Sequence, residues 1–118
     1  MKEFLLVFRR DFVSTEQQPS PEQLQAMMKP WQDWMGSIAA QGKLVNSGNR
    51  LSSEGRVVNK EQVVTDGPYV ETKEAIGGYI IIKAGTIDEA AELSKGCPIL
   101  QIGGNVEVRV IVPMEDNS

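Results

Sequence analysis

Two short segments of this chain are apolar at every position in turn: Phe4-Leu5-Leu6-Val7-Phe8 and Tyr79-Ile80-Ile81-Ile82. Their β-branched and aromatic content marks them as strands. Successive strand residues point to opposite faces of a sheet. These strands are therefore apolar on both sides, and a sheet built on them needs cover on both.

The intervening elements decide what supplies that cover. Ser20-Pro21-Glu22-Gln23 predicts a helix start, with Ser as N-cap, Pro at the first helical position and Gln closing a capping box. Leu24, Met28, Trp31, Met35 and Ile38 follow at alternating spacings of four and three, one face of a helix that Gly42 stops. Pro30 lies inside it and predicts a kink or a break. Residues 44–48 predict a strand, and Val57-Val58 with Val63-Val64 an appended hairpin. After the Asp66-Gly67-Pro68 turn comes the strand 77–83. Thr86-Ile87-Asp88-Glu89 is a second capping box, opening a helix with Ile87, Ala90, Ala91 and Ser94 on one side, ended by Gly96-Cys97-Pro98. The last strand is 106–112. One domain over residues 1–113 with a frayed tail at 114–118 is expected.

The order βαβ-hairpin-βαβ predicts an α+β fold, a ferredoxin-like plait (βαββαβ with an inserted β-hairpin). Two helices cover one face of a four-stranded sheet. The other face would expose several hundred Å² of apolar surface, more than monomers usually show. A symmetric homodimer with sheets packed face to face is the expected solution.

Composition narrows function mainly by exclusion. A net charge of −4, with no basic cluster beyond Arg9-Arg10, argues against nucleic acid as a partner. No apolar run is long enough for a bilayer, so no membrane partner is expected. Met1-Lys2-Glu3-Phe4 does not read as a signal peptide. The single cysteine, Cys97, has no internal disulfide partner, which points to a reducing cytoplasm. Cys97 is read as structural, since it follows a helix rather than heading one. The chain has no histidine, which removes the commonest general base and metal ligand and excludes Ser-His-Asp and Cys-His mechanisms within one chain. Catalysis would rest on carboxylates, Lys, Tyr, Cys97 or Arg. Gly77-Gly78 and Gly103-Gly104 match neither dinucleotide nor P-loop spacing, so no cofactor and no metal is expected.

Two regions concentrate polar chemistry. In the last strand Val106, Val108, Val110 and Val112 alternate with Glu107, Arg109 and Ile111. Valines packed under the helices place Glu107 and Arg109 on the sheet–sheet side, as a salt bridge or with Arg109 anchoring an anion. Residues 64–78 carry Asp66, Glu71, Lys73 and Glu74 in a charge-dense loop ending in paired glycines. Glu71 and Glu74 would share one side of a helical turn, and neighbouring carboxylates can divide into acid and base. A solvated charged face is the plainer reading. The catalytic candidates are Asp66, Glu71 and Glu74; the ligand-binding candidates are Arg50, Asp66, Glu71, Lys73, Glu107 and Arg109. They suit a small-molecule ligand, by binding alone or with turnover. Trp31, Trp34 and the methionines read as core or interface.

Thr65 to Glu74 read TDGPYVETKE, and the chain here resembles the YCII-related superfamily, in its branch marked by a DGPFAETKE motif. Tyr69 stands for the motif's Phe and Val70 for its Ala. Residues 47–51, SGNRL, are similar to a family SGERL segment with Asn49 for Glu; Val106-Glu107-Val108-Arg109 is similar to its closing VEVR strand, and Cys97-Pro98 to a CP after the second helix. The resemblance implies a ferredoxin-like dimeric α/β barrel. It also implies a bacterial protein of uncharacterised activity, linked to sigma-factor pathways by genomic association. A superfamily enzyme acting on a chlorinated hydroxylated aromatic uses a His-Asp pair, which this chain lacks. The alternative to ligand binding is a non-catalytic regulatory or interaction module.

Overall fold

The computed structural model describes residues 1–11, 21–52, 54–67 and 74–114. The strands are β1 (Lys2–Asp11), β2 (Leu44–Arg50), β3 (Gly55–Val58), β4 (Val64–Gly67), β5 (Glu74–Ala84) and β6 (Asn105–Val110). The helices are α1 (Pro21–Ala40) and α2 (Ile87–Ser94), with a 3₁₀ helix at Pro98–Ile102. Four strands form an antiparallel sheet in the order β2-β5-β1-β6, while β3 and β4 pair only with each other. This α+β arrangement is compatible with the expected ferredoxin-like plait. The 3₁₀ turn between α2 and β6 has no counterpart in the periodicity of the chain.

Both helices pack on one face of the sheet. Phe4, Leu6 and Phe8 of β1 and Ile80, Ile82 and Ala84 of β5 form a core with Trp34 and Ile38 of α1 and Ala90 of α2. The Trp34 indole N–H donates to the Leu93 carbonyl at 2.9 Å, which ties α1 to α2 and leaves no buried indole donor unpaired. Thr86 caps α2, its hydroxyl accepting from the Glu89 N–H at 3.1 Å, as the capping box predicts. The Glu89 carboxylate accepts from the Gly85 N–H and also pairs with Lys43, just before β2. Lys43 and Gly85 together hold that carboxyl below its ordinary range.

Three local expectations change. Helix α1 runs unbroken through Pro30. Pro30 and Ala26 are both exposed, which puts the carbonyl that Pro30 has no N–H to bond on the solvent side of the helix, where its loss of an intrahelical partner costs least. The buried stripe of α1 is centred on Trp34 and Ile38, with Trp31 and Met35 partly buried, whereas Met28 stays exposed. On the edge strand β6 Val106 and Val108 pack against the core, whereas Val110, although paired with the buried Phe4, and Val112, beyond the end of the strand, are exposed.

The opposite face of the sheet carries Leu5, Val7, Tyr79 and Ile81. Val7 is buried and the other three are half-buried. The double-sided apolarity of β1 and β5 is thus real, and it leaves an apolar strip flanked by charge.

Candidate functional site

Register sorts the candidate residues onto two faces. One row across all four strands is Arg50–Gly78–Phe8–Val106; the next is Asn49–Tyr79–Val7–Glu107. Adjacent strand residues point to opposite sides. The first row, with Phe8 in the core, lies on the helical face, and the second lies on the open face.

On the open face Glu107 accepts from two arginines. Arg109 donates at 3.1 Å, and Arg9 lies 3.0 Å away from the second ion-pair oxygen. The Arg109 and Arg9 hydrogen bonds hold the Glu107 carboxyl below its ordinary range. Side-chain exposures of 30% for Arg9, 35% for Glu107 and 70% for Arg109 make this a water-screened cluster. It is the salt bridge expected of Glu107 and Arg109, with Arg9 as a third member. Beside it the Asn49 amide donates to the Tyr79 hydroxyl at 3.0 Å.

On the helical face a cavity of about 410 Å³ opens between α1 and the β2–β5–β1 side of the sheet. Helix α1 lines it with Met27, Met28, Trp31 and Gln32. Strand β2 and the residue after it contribute Ser47 to Leu51; β5 contributes Gly77 to Ile80. Phe8 of β1 and Ile99 and Ile102 of the 3₁₀ helix complete it. Trp31 is held edge-on to Phe8, ring centroids 4.9 Å apart, and to Trp34 at 5.7 Å.

Two glycines shape the floor. Strand β2 is bulged, its register against β5 shifting on both sides of Asn46. Gly48 has φ +66°, and a Cβ there would lie 1.6 Å from the Tyr79 carbonyl oxygen. A Cβ on Gly78 would lie 2.9 Å from the Asn49 carbonyl oxygen. Both positions admit only glycine, and they let the β2 edge close on β5 so that Arg50 stands at the cavity.

Of the sequence candidates whose side chains are described, Arg50 alone lines this cavity. Among the described residues its side chain has no ion-pair or hydrogen-bond partner. Glu107 and Arg109 are joined to each other but sit on the other side of the sheet, apart from Arg50. Asp66 lies in β4 with its backbone paired to Arg56, and Glu74 begins β5 opposite Asp11. The side chains of Asp66 and Glu74, and all of Glu71 and Lys73, lie outside the described residues. Cys97 is buried, and burial pushes its thiol up to about 11, so it is chemically quiet. Trp31 and Met28, read from periodicity as core or interface, are cavity lining, as is Met27, which lies off that stripe. The signal was available: Met28 and Trp31 lie towards the N-terminal end of the α1 stripe, where the packed core gives out. Among the described residues no group of acids and cysteine is arranged to hold a metal ion, and no helix is long and apolar enough to cross a membrane.

Fold and cavity together define an α+β domain, compatible with a ferredoxin-like plait, whose helix–sheet layer is open at one end. No curated protein matches the chain significantly. A family model of the YCII-related domain matches residues 6–115, nearly the whole chain, and the protein belongs to that family.

Proposed function

We propose that this protein is a small-molecule-binding member of the DGPF branch of the YCII-related family, working as a cytoplasmic homodimer. The observation that carries the reading is the cavity of about 410 Å³ with Arg50, unpartnered among the described residues, at its wall. Its size is within the usual range for ligand pockets, and a few polar groups among apolar side chains is their usual composition. The strip of Leu5, Val7, Tyr79 and Ile81 supports a face-to-face dimer, in which two sheets would cover each other and close a dimeric α/β barrel. Asp66, Glu71, Lys73 and Glu74 enter the proposal through chain position, since Gly77 and Gly78 of the cavity follow them directly. Any turnover would draw on Asp66, Glu71 or Glu74 as acid or base.

A second reading, a non-catalytic interaction module tied to a sigma-factor pathway, is favoured by the β3–β4 hairpin. It forms its own two-stranded sheet and exposes Val58, Val63 and Val64. Isolated hairpins are marginal in water, so such an arm has reason to seek a partner surface.

A thermal-shift screen of small metabolites separates the two. Binding predicts compounds that stabilise the wild type and also move the Trp31 fluorescence. A library that leaves both unchanged removes the ligand reading and leaves the interaction module. Sedimentation at micromolar concentration tests the dimer: only a species of about 13 kDa overturns it.

A further inference from the structure

The cavity and the open face differ in how their charges are held, and that difference specifies a ligand. On the open face the two arginines share a carboxylate. At the cavity Arg50 has no such partner among the described residues, and the neighbouring polar side chains, Gln32 and Ser47, are neutral. Among the described residues no acidic side chain lines the cavity. The remaining wall is apolar and adaptable. Met27 and Met28 are unbranched thioethers that re-pack around varied shapes, and Trp31 and Phe8 present an aromatic surface. A guanidinium is a permanent cation whose planar fork matches a carboxylate or phosphate in two-point contact.

We propose that this cavity binds an amphipathic anion: an apolar chain or ring lying along Met27, Met28, Trp31 and Phe8, with its single anionic head group on Arg50. The proposal rests on the small-molecule reading above and adds the ligand class. It excludes cations, which Arg50 repels, and small fully polar anions, which leave the methionine and tryptophan wall unfilled. The shared chemistry of carboxylate and phosphate head groups is what Arg50 recognises, and the hydrophobic body contributes most of the contact area.

The chain reports on its own cavity, because its only two tryptophans are Trp31 in the wall and Trp34 in edge contact with it. Titration of the full chain with decanoate, decyl phosphate, decan-1-ol and inorganic phosphate, read by tryptophan emission and calorimetry, tests the assignment. Decanoate or decyl phosphate should bind, and decan-1-ol should bind at least about tenfold more weakly, since hydrogen bonds to charged groups contribute about 1.5–3 kcal/mol. Inorganic phosphate should not bind. Whichever of decanoate and decyl phosphate binds more tightly assigns the head group.

Arg50→Gln should weaken the anions to the level of the alcohol, and Arg50→Lys should restore part of the loss. Met28→Glu, at a lining position 55% exposed and so neutral for folding, should weaken the anions more than the alcohol. Equal binding of anion and alcohol, unaffected by Arg50→Gln, overturns the anion assignment and leaves the cavity as a small-molecule site. If no amphiphile binds while the metabolite screen yields a ligand that moves Trp31, the amphipathic class is wrong and the broader reading stands. If nothing binds in either experiment, both fall.

Discussion

Gly48 and Gly42 offer a matched test of how the cavity floor is built. Both have left-handed backbone, φ +66° and +71°, but they differ in surroundings. A Cβ on Gly42 would meet nothing within 4 Å, whereas one on Gly48 would lie 1.6 Å from the Tyr79 carbonyl oxygen. Alanine at either site carries the left-handed penalty of about 1–2 kcal/mol. At Gly48 the β2 edge must also retreat by about 2 Å to reach ordinary van der Waals contact. Hydrogen bonds lengthened by that much are lost. The pairs at risk are Asn49 with Tyr79 and Arg50 with Gly78, immediately beside the contact. Losing two bonds at about 1 kcal/mol each brings Gly48→Ala to about 3–4 kcal/mol. At about 4 °C per kcal/mol for a domain of this size, Gly48→Ala should lower Tm by about 12–16 °C and Gly42→Ala by about 4–8 °C. Urea and thermal unfolding measure the difference, and amide exchange at Tyr79 and Ile80 should speed up only in Gly48→Ala. Equal destabilisation by the two substitutions would falsify the close-approach account of β2.

Charge and burial give two further outcomes. Glu107 is depressed by Arg109 and Arg9, so its stabilisation is present above the ordinary glutamate range, near 4.5, and disappears as pH falls through its lower folded value. The wild-type minus Glu107→Gln stability difference should therefore shrink in acid, below about pH 4.5; a pH-independent difference would show that the arginine pairs do not couple to folding. For Cys97 the sign reverses in range: its folded pKa is about 11 against an ordinary 9.0, so its protonated thiol favours the fold up to about pH 9 and progressively less as pH rises towards 11. Cys97→Ala should remove that alkaline component from the stability profile, and native Cys97 should alkylate slowly at pH 8. Rapid labelling of folded protein would refute its burial.

How much of this was legible in the chain follows from which forces are local. The Thr86 cap and the strand apolarity of β1 and β5 are encoded within a few residues and appear in the structure, although the returning Glu89 carboxylate takes the Gly85 N–H rather than that of Thr86. Pro30 misled because its consequence depends on whether the freed carbonyl meets water, which only the exposed position of Ala26 decides. The α1 stripe turned from Met35 towards Trp34, which shares a helical face with Trp31 and Ile38 and whose indole reaches Leu93 across 59 residues; periodicity allowed either position, and the tertiary bond chose between them. Arg50 was a visible candidate, yet its separation from Glu107 and Arg109 was not. That separation depends on the register of four strands, in which one residue of slip exchanges the faces. The bulge that sets β2's register hangs on Gly48, whose role shows only once β5 lies against it.

The two rows across the sheet also constrain how its faces can communicate. Asn49 belongs to the open face through its bond to Tyr79, and Arg50, the next residue, belongs to the cavity. Both hang from the same bulged segment, which Gly48 and Gly78 allow to press on β5 without intervening side chains. A rigid-body shift of that edge therefore moves the anchor of the cavity and the polar rim of the open face together. If a second copy covers Leu5, Val7 and Ile81, its contact would reach Tyr79 and Asn49, and so would bear on where Arg50 stands. Ligand affinity measured across the monomer–dimer concentration range should then change with assembly. By linkage the ligand should shift the dimerisation constant by the same factor. Affinity that is unchanged by assembly would mean that the β2 edge is already rigid in the single chain, with Gly48 and Gly78 alone fixing the arginine.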